Sequence, residues 1–229
     1  MSIPSLIFAA GFGTRMGDLT KDTPKPLIRV GGRALIDYAL DIARGVDAAP
    51  IVANTHYLAD QMAAYLAPQN VILSHESDIL ETGGGLRAAL PLLGGSPVAT
   101  INSDAVWGGS NPLALALAQW DPAVMDALMV LIHPKNAIGH KGGGDFSRAA
   151  DGQLKRGAGF VYGGVHILKT DGLADIHETA FSLNRLWDDI LRRGRLYGVI
   201  YDGPWCDVGH PAGLDLAERL IGGEDVQAP

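Results

Sequence analysis

The sequence predicts an α/β protein built on a mainly parallel sheet with helices on both faces. Short apolar runs alternate with segments of helical period through the first half of the chain, the pattern of strand–helix–strand crossovers. Glycine and polar residues gather where those runs end. No Pro/Ser-rich linker, charge block or low-complexity tract divides the chain, so a single domain is expected over residues 1–223, followed by a short tail, 224–229.

SLIFAA (5–10) is an apolar run halted at Gly11, as a buried strand entering a loop. In residues 34–46, Leu35, Ile36, Ala39, Leu40 and Ala43 repeat at helical spacing, with Gly45 as the stop. IVAN (51–54) reads as strand, 58–67 as helix, VILS (71–74) as strand, 85–93 as helix and PVATIN (97–102) as strand. The second half is less regular. Residues 126–132 read as strand, 138–145 as a glycine-rich loop, and Asp151-Gly152 as a hairpin turn. FVYGGVHIL (160–168) reads as a strand whose Gly163-Gly164 pair predicts a bulge or a close-approaching ligand. An amphipathic helix over 183–194, a strand over 196–201 and a last helix over 211–223 complete the pass.

The composition sets limits. A net charge of −7 argues against a nucleic-acid partner, which would need a basic face. Cys206 is the single cysteine, so there is no disulfide framework. No apolar run approaches the ~20 residues of a membrane span. The expectation is a cytoplasmic protein without membrane or nucleic-acid partners, a monomer or weak homo-oligomer.

In open α/β sheets ligands bind beyond the carboxyl ends of the strands. Those ends carry Gly11–Arg15, Asn54–His56, Glu76–Gly85 and Asn102–Asp104. The first loop fits neither a P-loop, since the chain has no Gly-Lys pair, nor G-x-G-x-x-G, since Met16 takes the third glycine's place. By itself it reads equally as a phosphate cradle or as a tight strand exit beside an exposed arginine. Lys25 adds to it: with proline on either side, its backbone is restricted and expected to be extended. A lysine so held loses less freedom on meeting a phosphate. A plain surface lysine is the alternative.

L-I-F-A-A-G-F-G-T-R-M followed by T-P-K-P-L closely resembles the signature of the sugar-1-phosphate nucleotidyltransferase family, through Ala9, Ala10, Gly11, Gly13, Thr14, Arg15, Met16, Pro24, Lys25, Pro26 and Leu27. Asn54-Thr55-His56-Tyr57, Glu81-Thr82-Gly83-Gly84-Gly85, Asn102-Ser103-Asp104 and Trp205-Cys206-Asp207-Val208-Gly209 extend the resemblance over nearly the whole chain. The E-T-G-G-G, G-G-D-F and W-x-D-V-G details look most like the bacterial N-acetylmuramate-1-phosphate uridylyltransferases of cell-wall recycling.

The resemblance implies a Rossmann-like fold of the nucleotide-diphospho-sugar transferase type. It implies a nucleoside triphosphate, UTP first, and a sugar 1-phosphate, N-acetylmuramate 1-phosphate first, joined with release of pyrophosphate. Mannose- or glucose-1-phosphate guanylyl- or thymidylyltransferase and phosphocholine cytidylyltransferase remain alternatives within the class. A regulatory protein that binds nucleotide sugar without turnover is the alternative outside it. Arg15, Lys25 and Asp104 are the implied catalytic residues, and Asp104 with Asp207 the implied Mg²⁺ ligands. On residue chemistry alone each aspartate is better read as a cap, Asp104 of a turn and Asp207 of the entry to the last helix. Nucleotide binding falls to Ala10, Gly11, Gly13, Thr14, Arg15, Lys25, Glu81, Thr82 and Gly83, and sugar binding to Asn102, Asp145 and Gly164. Relatives often carry a glutamine in the base loop and an F-x-E-K element near the sugar; this chain has neither. His56 and His210 stay open, Cys206 is expected to be an inert buried thiol, and Leu186, Trp187, Ile190 and Leu191 to be core.

Overall fold

A seven-stranded sheet carries the molecule, and the computed structural model describes residues 2–224 and 226. Its strands are β1 (Ser5–Phe8), β2 (Ile51–Thr55), β3 (Ile72–His75), β4 (Val98–Asn102), β5 (Ala127–Ile132), β6 (Val161–Leu168) and β7 (Leu196–Tyr201). They lie in the order β7-β5-β6-β4-β1-β2-β3. β1 pairs in parallel with β2 and β4, β2 with β3, and β5 with β7. β6 alone runs antiparallel, to both β4 and β5. The sheet is thus mainly parallel, as the sequence predicts, although hydrophobic pattern carries no sign of strand direction and gave no warning of β6.

The helices are α1 (Leu35–Arg44), α2 (Ala59–Leu66), α3 (Glu81–Leu93), α4 (Pro112–Gln119), α5 (Asn184–Arg192) and α6 (Ala212–Ile221). The two sides of β5 show how the layers form. Leu128, Val130 and Ile132 point into one core with Leu40 of α1, Met62 of α2 and Leu113 of α4. Met129 and Leu131 point into the other, with Leu86 of α3 and Ile190 of α5. A strand covered on both faces must be apolar throughout, and ALMVLI is. A third core under α6 holds Met16, Val106, Cys206 and Val208.

Several details depart from the expectations. α3 begins at Glu81 rather than 85, so Gly83, Gly84 and Gly85 are helical. They are glycines because residues 179–181 and Glu76 press on that turn: a Cβ would stand 2.3 Å from the Phe181 ring, 2.4 Å from the Thr179 carbonyl and 2.6 Å from Glu76 Oε1, respectively. Lys25 is not extended; Pro24 is, and Lys25 opens a 3-10 turn, Lys25–Leu27. Two backbone bonds fix it, Leu27 N–H to Pro24 O at 2.8 Å and Ile28 N–H to Lys25 O at 3.1 Å. The Gly163-Gly164 bulge is present as a register shift in β6. The Asp151-Gly152 hairpin joins strands Phe146–Arg148 and Leu154–Arg156. α4 and a small sheet of Ala105–Trp107, Ala137–Ile138 and Trp205–Asp207 have no counterpart among the expected elements. Among the described residues no helix is long and apolar enough to cross a membrane. Of the expected tail, residues 225 and 227–229 lie outside the described residues.

Candidate active site

The register Phe8↔Asn102 brings the carboxyl ends of β1 and β4 level, and a cavity of about 320 Å³ opens above them. Its floor is the loop leaving β1. Ala9 N–H is held by Asn54 Oδ1 at 2.7 Å, and Ser103 Oγ donates to Phe8 O at 2.6 Å, so neighbouring strands fix the loop's start. Gly13 adopts a left-handed φ of 66°, where a side chain would be strained. Met16 is buried in the third core, so the chain beside Arg15 is anchored while the guanidinium reaches the cavity.

Lys25 is pressed onto this loop. A Cβ on Gly13 would stand 2.8 Å from Lys25 Cβ and 2.9 Å from Thr20 Cγ2. The glycine therefore serves the seating of the lysine, a role that spacing alone does not reveal. Gly11 differs: it lines the cavity, and nothing in the protein lies within 4 Å of where its Cβ would be.

Asp104 follows β4, and Lys25 Nζ lies 2.7 Å from its Oδ2. Asp207 arrives through the small sheet. Asp207 pairs with Ala105, and Val208 N–H donates to Asp104 O at 2.9 Å. Burial first, and the charge of Asp104 second, push the Asp207 carboxyl above the usual carboxylate range; Lys25 and Arg15 pull against them. A Cβ on Gly209 would stand 2.9 Å from Asp207 Oδ1 and 3.0 Å from Arg15 Nη1, so guanidinium and carboxylate flank that glycine.

The cavity is lined by Ala10, Gly11, Gly13, Thr14, Arg15, Lys25, Glu81, Thr82, Asn102 and Asp104, ten residues singled out from the sequence. Asp207 sits beside Asp104 without lining it. Gly83 is turned away under Phe181. Asp145 also lies off this cavity, its Oδ2 accepting Tyr162 N–H at 2.8 Å, and Gly164 gives clearance to Asn102, whose Cβ would be 2.9 Å from a side chain there. Thr82 Oγ1 accepts Leu183 N–H at 3.0 Å. Glu81 has a left-handed φ of 58°, a strained backbone at the cavity rim.

Asn54 and Glu76 received no role from the sequence, yet both line the cavity and both are buried. Asn54 Nδ2 donates to Glu76 Oε1 at 2.7 Å, and Leu80 N–H to Glu76 Oε2 at 3.1 Å. The pair ties the β1 exit to the start of α3. The available signal was a polar residue at or just past the end of each of two apolar runs. Cys206 is fully buried, its thiol pushed up to about 12 by burial and then by Asp207, and so inert as expected. Trp205 Nε1 donates to Gly163 O at 3.0 Å, and His56 Nδ1 lies 2.9 Å from Glu76 O.

Two adjoining carboxylates in partial burial, with phosphate oxygens to complete the shell, suit a hard divalent cation. Among the described residues there is no cluster of three or more His, Cys, Asp or Glu in ligating positions. Asp104 and Asp207 thus fit an ion that substrate and water also ligate.

The fold is that of the nucleotide-diphospho-sugar transferases. A solved structure of HddC from Yersinia pseudotuberculosis superposes with a TM-score of 0.76 at 20% identity, covering 95% of this chain and 98% of that one. The chain belongs to the MobA-like NTP transferase domain family, whose model matches residues 5–156. It is 41% identical to an N-acetylmuramate alpha-1-phosphate uridylyltransferase of Caulobacter vibrioides, over 95% of this chain and 96% of that protein. A protein of the same description from Neisseria meningitidis serogroup B is 32% identical, over 95% and 98%.

Proposed function

We propose that this chain transfers uridylyl from UTP to N-acetylmuramate 1-phosphate, releasing pyrophosphate. The observation that carries the reading is the meeting of Arg15, Lys25 and Asp104 in one cavity over the glycine loop, with Asp207 alongside. The two relatives of that activity, similar over nearly their whole length, support the substrate pair.

A phosphate monoester has its second pKa near ~6, so the attacking oxygen is already anionic at neutral pH. The obstacle is an anion approaching a polyanion in line, and positioning and charge neutralisation remove it. The open side of Gly11 admits the triphosphate to backbone N–H groups. Arg15 takes the β- and γ-phosphates in its planar fork and favours pyrophosphate as leaving group. Lys25 places a compact charge at the α-phosphate. Magnesium on Asp104 and Asp207 supplies, when bound, neutralisation of the α-phosphate and the sugar phosphate together. The backbone of Ala9–Gly11 and the Glu81–Thr82 turn read the base. Asn102 takes the sugar side, with Gly164 clearing space behind it and Asp145 reaching the sugar from the adjoining loop.

We place the reaction in the cytoplasm, in cell-wall recycling, carried out by a monomer or weak homo-oligomer without nucleic-acid or membrane partners. A panel of triphosphates crossed with sugar 1-phosphates, read by pyrophosphate release with and without magnesium, tests the reading. UTP with N-acetylmuramate 1-phosphate should lead it. A different leading pair overturns the assignment of substrates, and no release from any pair favours a binding protein. In the same assay Asp145→Ala should raise KM for the sugar phosphate and leave that for UTP unchanged.

A further inference from the structure

The ammonium of Lys25 and the carboxylate of Asp104 already hold each other, Nζ to Oδ2 at 2.7 Å, with the side chains 12% and 31% exposed. The proposed reaction gives both groups other work, Lys25 on a phosphate and Asp104 on a cation. The same oxygen and the same ammonium cannot serve both arrangements at full strength. The neighbouring pair is built differently. Arg15 and Asp207 flank Gly209 without an ion pair between them within 4 Å. One acid of the site is therefore ion-paired and the other, which takes a backbone hydrogen bond from Gly209, is not.

We propose that the Lys25–Asp104 pair is a latch: without nucleotide it closes Asp104 to the cation, and the phosphates of an incoming nucleoside triphosphate open it by drawing Lys25 away. This rests on the functional reading above and adds a coupling to it. The backbone around Lys25 is fixed by the turn Lys25–Leu27 and by Gly13, so the exchange needs only the flexible methylenes beyond Cβ to swing. Coupling between two ligands is reciprocal, and factors of roughly 5–150 are common. Nucleotide then raises the affinity for the cation, and the cation raises the affinity for nucleotide, partly by sharing the work of breaking one ion pair.

The test compares latch residues with their unpaired neighbours of like charge. Mn²⁺ affinity is measured without nucleotide in the wild type, Lys25→Met and Arg15→Met. UTP affinity is measured without metal in the wild type, Asp104→Asn and Asp207→Asn. Lys25→Met should bind Mn²⁺ about tenfold more tightly than the wild type, and Arg15→Met should gain less than about threefold, a split on the scale of common coupling factors. Asp104→Asn should gain in UTP affinity by clearly more than Asp207→Asn. Equal gains within each comparison would come from net charge alone and overturn the latch. The two arms use different variants, so a misfolded variant in one leaves the other decisive. A wild type that binds no UTP overturns the functional reading and the latch together, whereas UTP binding with equal gains overturns the latch alone.

Discussion

The backbone carbonyl of Asp104 accepts the amide of Val208 at 2.9 Å, and with that bond Asp207 is delivered to the side of Asp104 from the far end of the chain. Two acids thus stand side by side, with Lys25 and Arg15 near them. Burial and the neighbouring Asp104 raise the pKa of Asp207, with Lys25 and Arg15 opposing them.

Lys25→Ala and Asp104→Ala should each lower turnover by orders of magnitude with the fold intact. Both side chains are partly exposed and lie outside the apolar cores, so far-UV circular dichroism should be unchanged. Near-normal turnover in either purified variant would contradict their roles.

The two loop glycines should separate in kinetics. Gly13→Ala meets a left-handed φ, costing roughly 1–2 kcal/mol, and pushes on Lys25 Cβ; stability and kcat should both fall. Gly11→Ala meets no protein atom, so the melting temperature should hold while KM for UTP rises. Steady-state kinetics beside thermal melts decide it.

Gly84→Ala should destabilise the fold by about 1–3 kcal/mol in denaturant titration, through overpacking. In an open helix the same change would stabilise by about 1 kcal/mol. The sign is reversed because the Thr179 carbonyl stands 2.4 Å from the new methyl and, being backbone, cannot turn aside.

His166 should make the fold acid-labile. Fully buried between Thr100 and Tyr162, whose hydroxyls lie 2.8 and 2.6 Å from Nδ1, it has its pKa lowered to about 3 by desolvation. A lowered folded-state pKa means stability that is complete above the ordinary imidazole value and lost as pH falls through it toward 3. At one pKa unit per 1.36 kcal/mol, the loss by pH 5 is about 2 kcal/mol. Denaturant titrations at pH 7 and 5 should give the wild type a larger drop than His166→Gln; equal drops would contradict the assignment.

Much of this was legible in the sequence. The strands and helices with clear period, the glycine loop, Arg15, Lys25 and Asp104 all stood out. The parts that were not share a physical cause. The strands Ala105–Trp107, Ala137–Ile138 and Trp205–Asp207 are too short to show alternation, yet their pairing helps bring Asp207 to Asp104. In α4, PLALALAQ, the leucine–alanine alternation masks the helical period. The start of α3 was hidden because glycine reads as loop when nothing in the local sequence reveals Phe181 lying across it. Asn54 and Glu76 act through contacts between distant segments, which one-dimensional pattern cannot carry.

The most direct test of the central claim is the position of Mn²⁺, located by anomalous diffraction in crystals of the protein with a non-hydrolysable UTP analogue. The account predicts one ion bound by both Asp104 and Asp207 and touching the α-phosphate, with Lys25 Nζ moved from Asp104 onto phosphate. An ion bound away from Asp207, or a Lys25 still paired with Asp104 beside bound nucleotide, would contradict it.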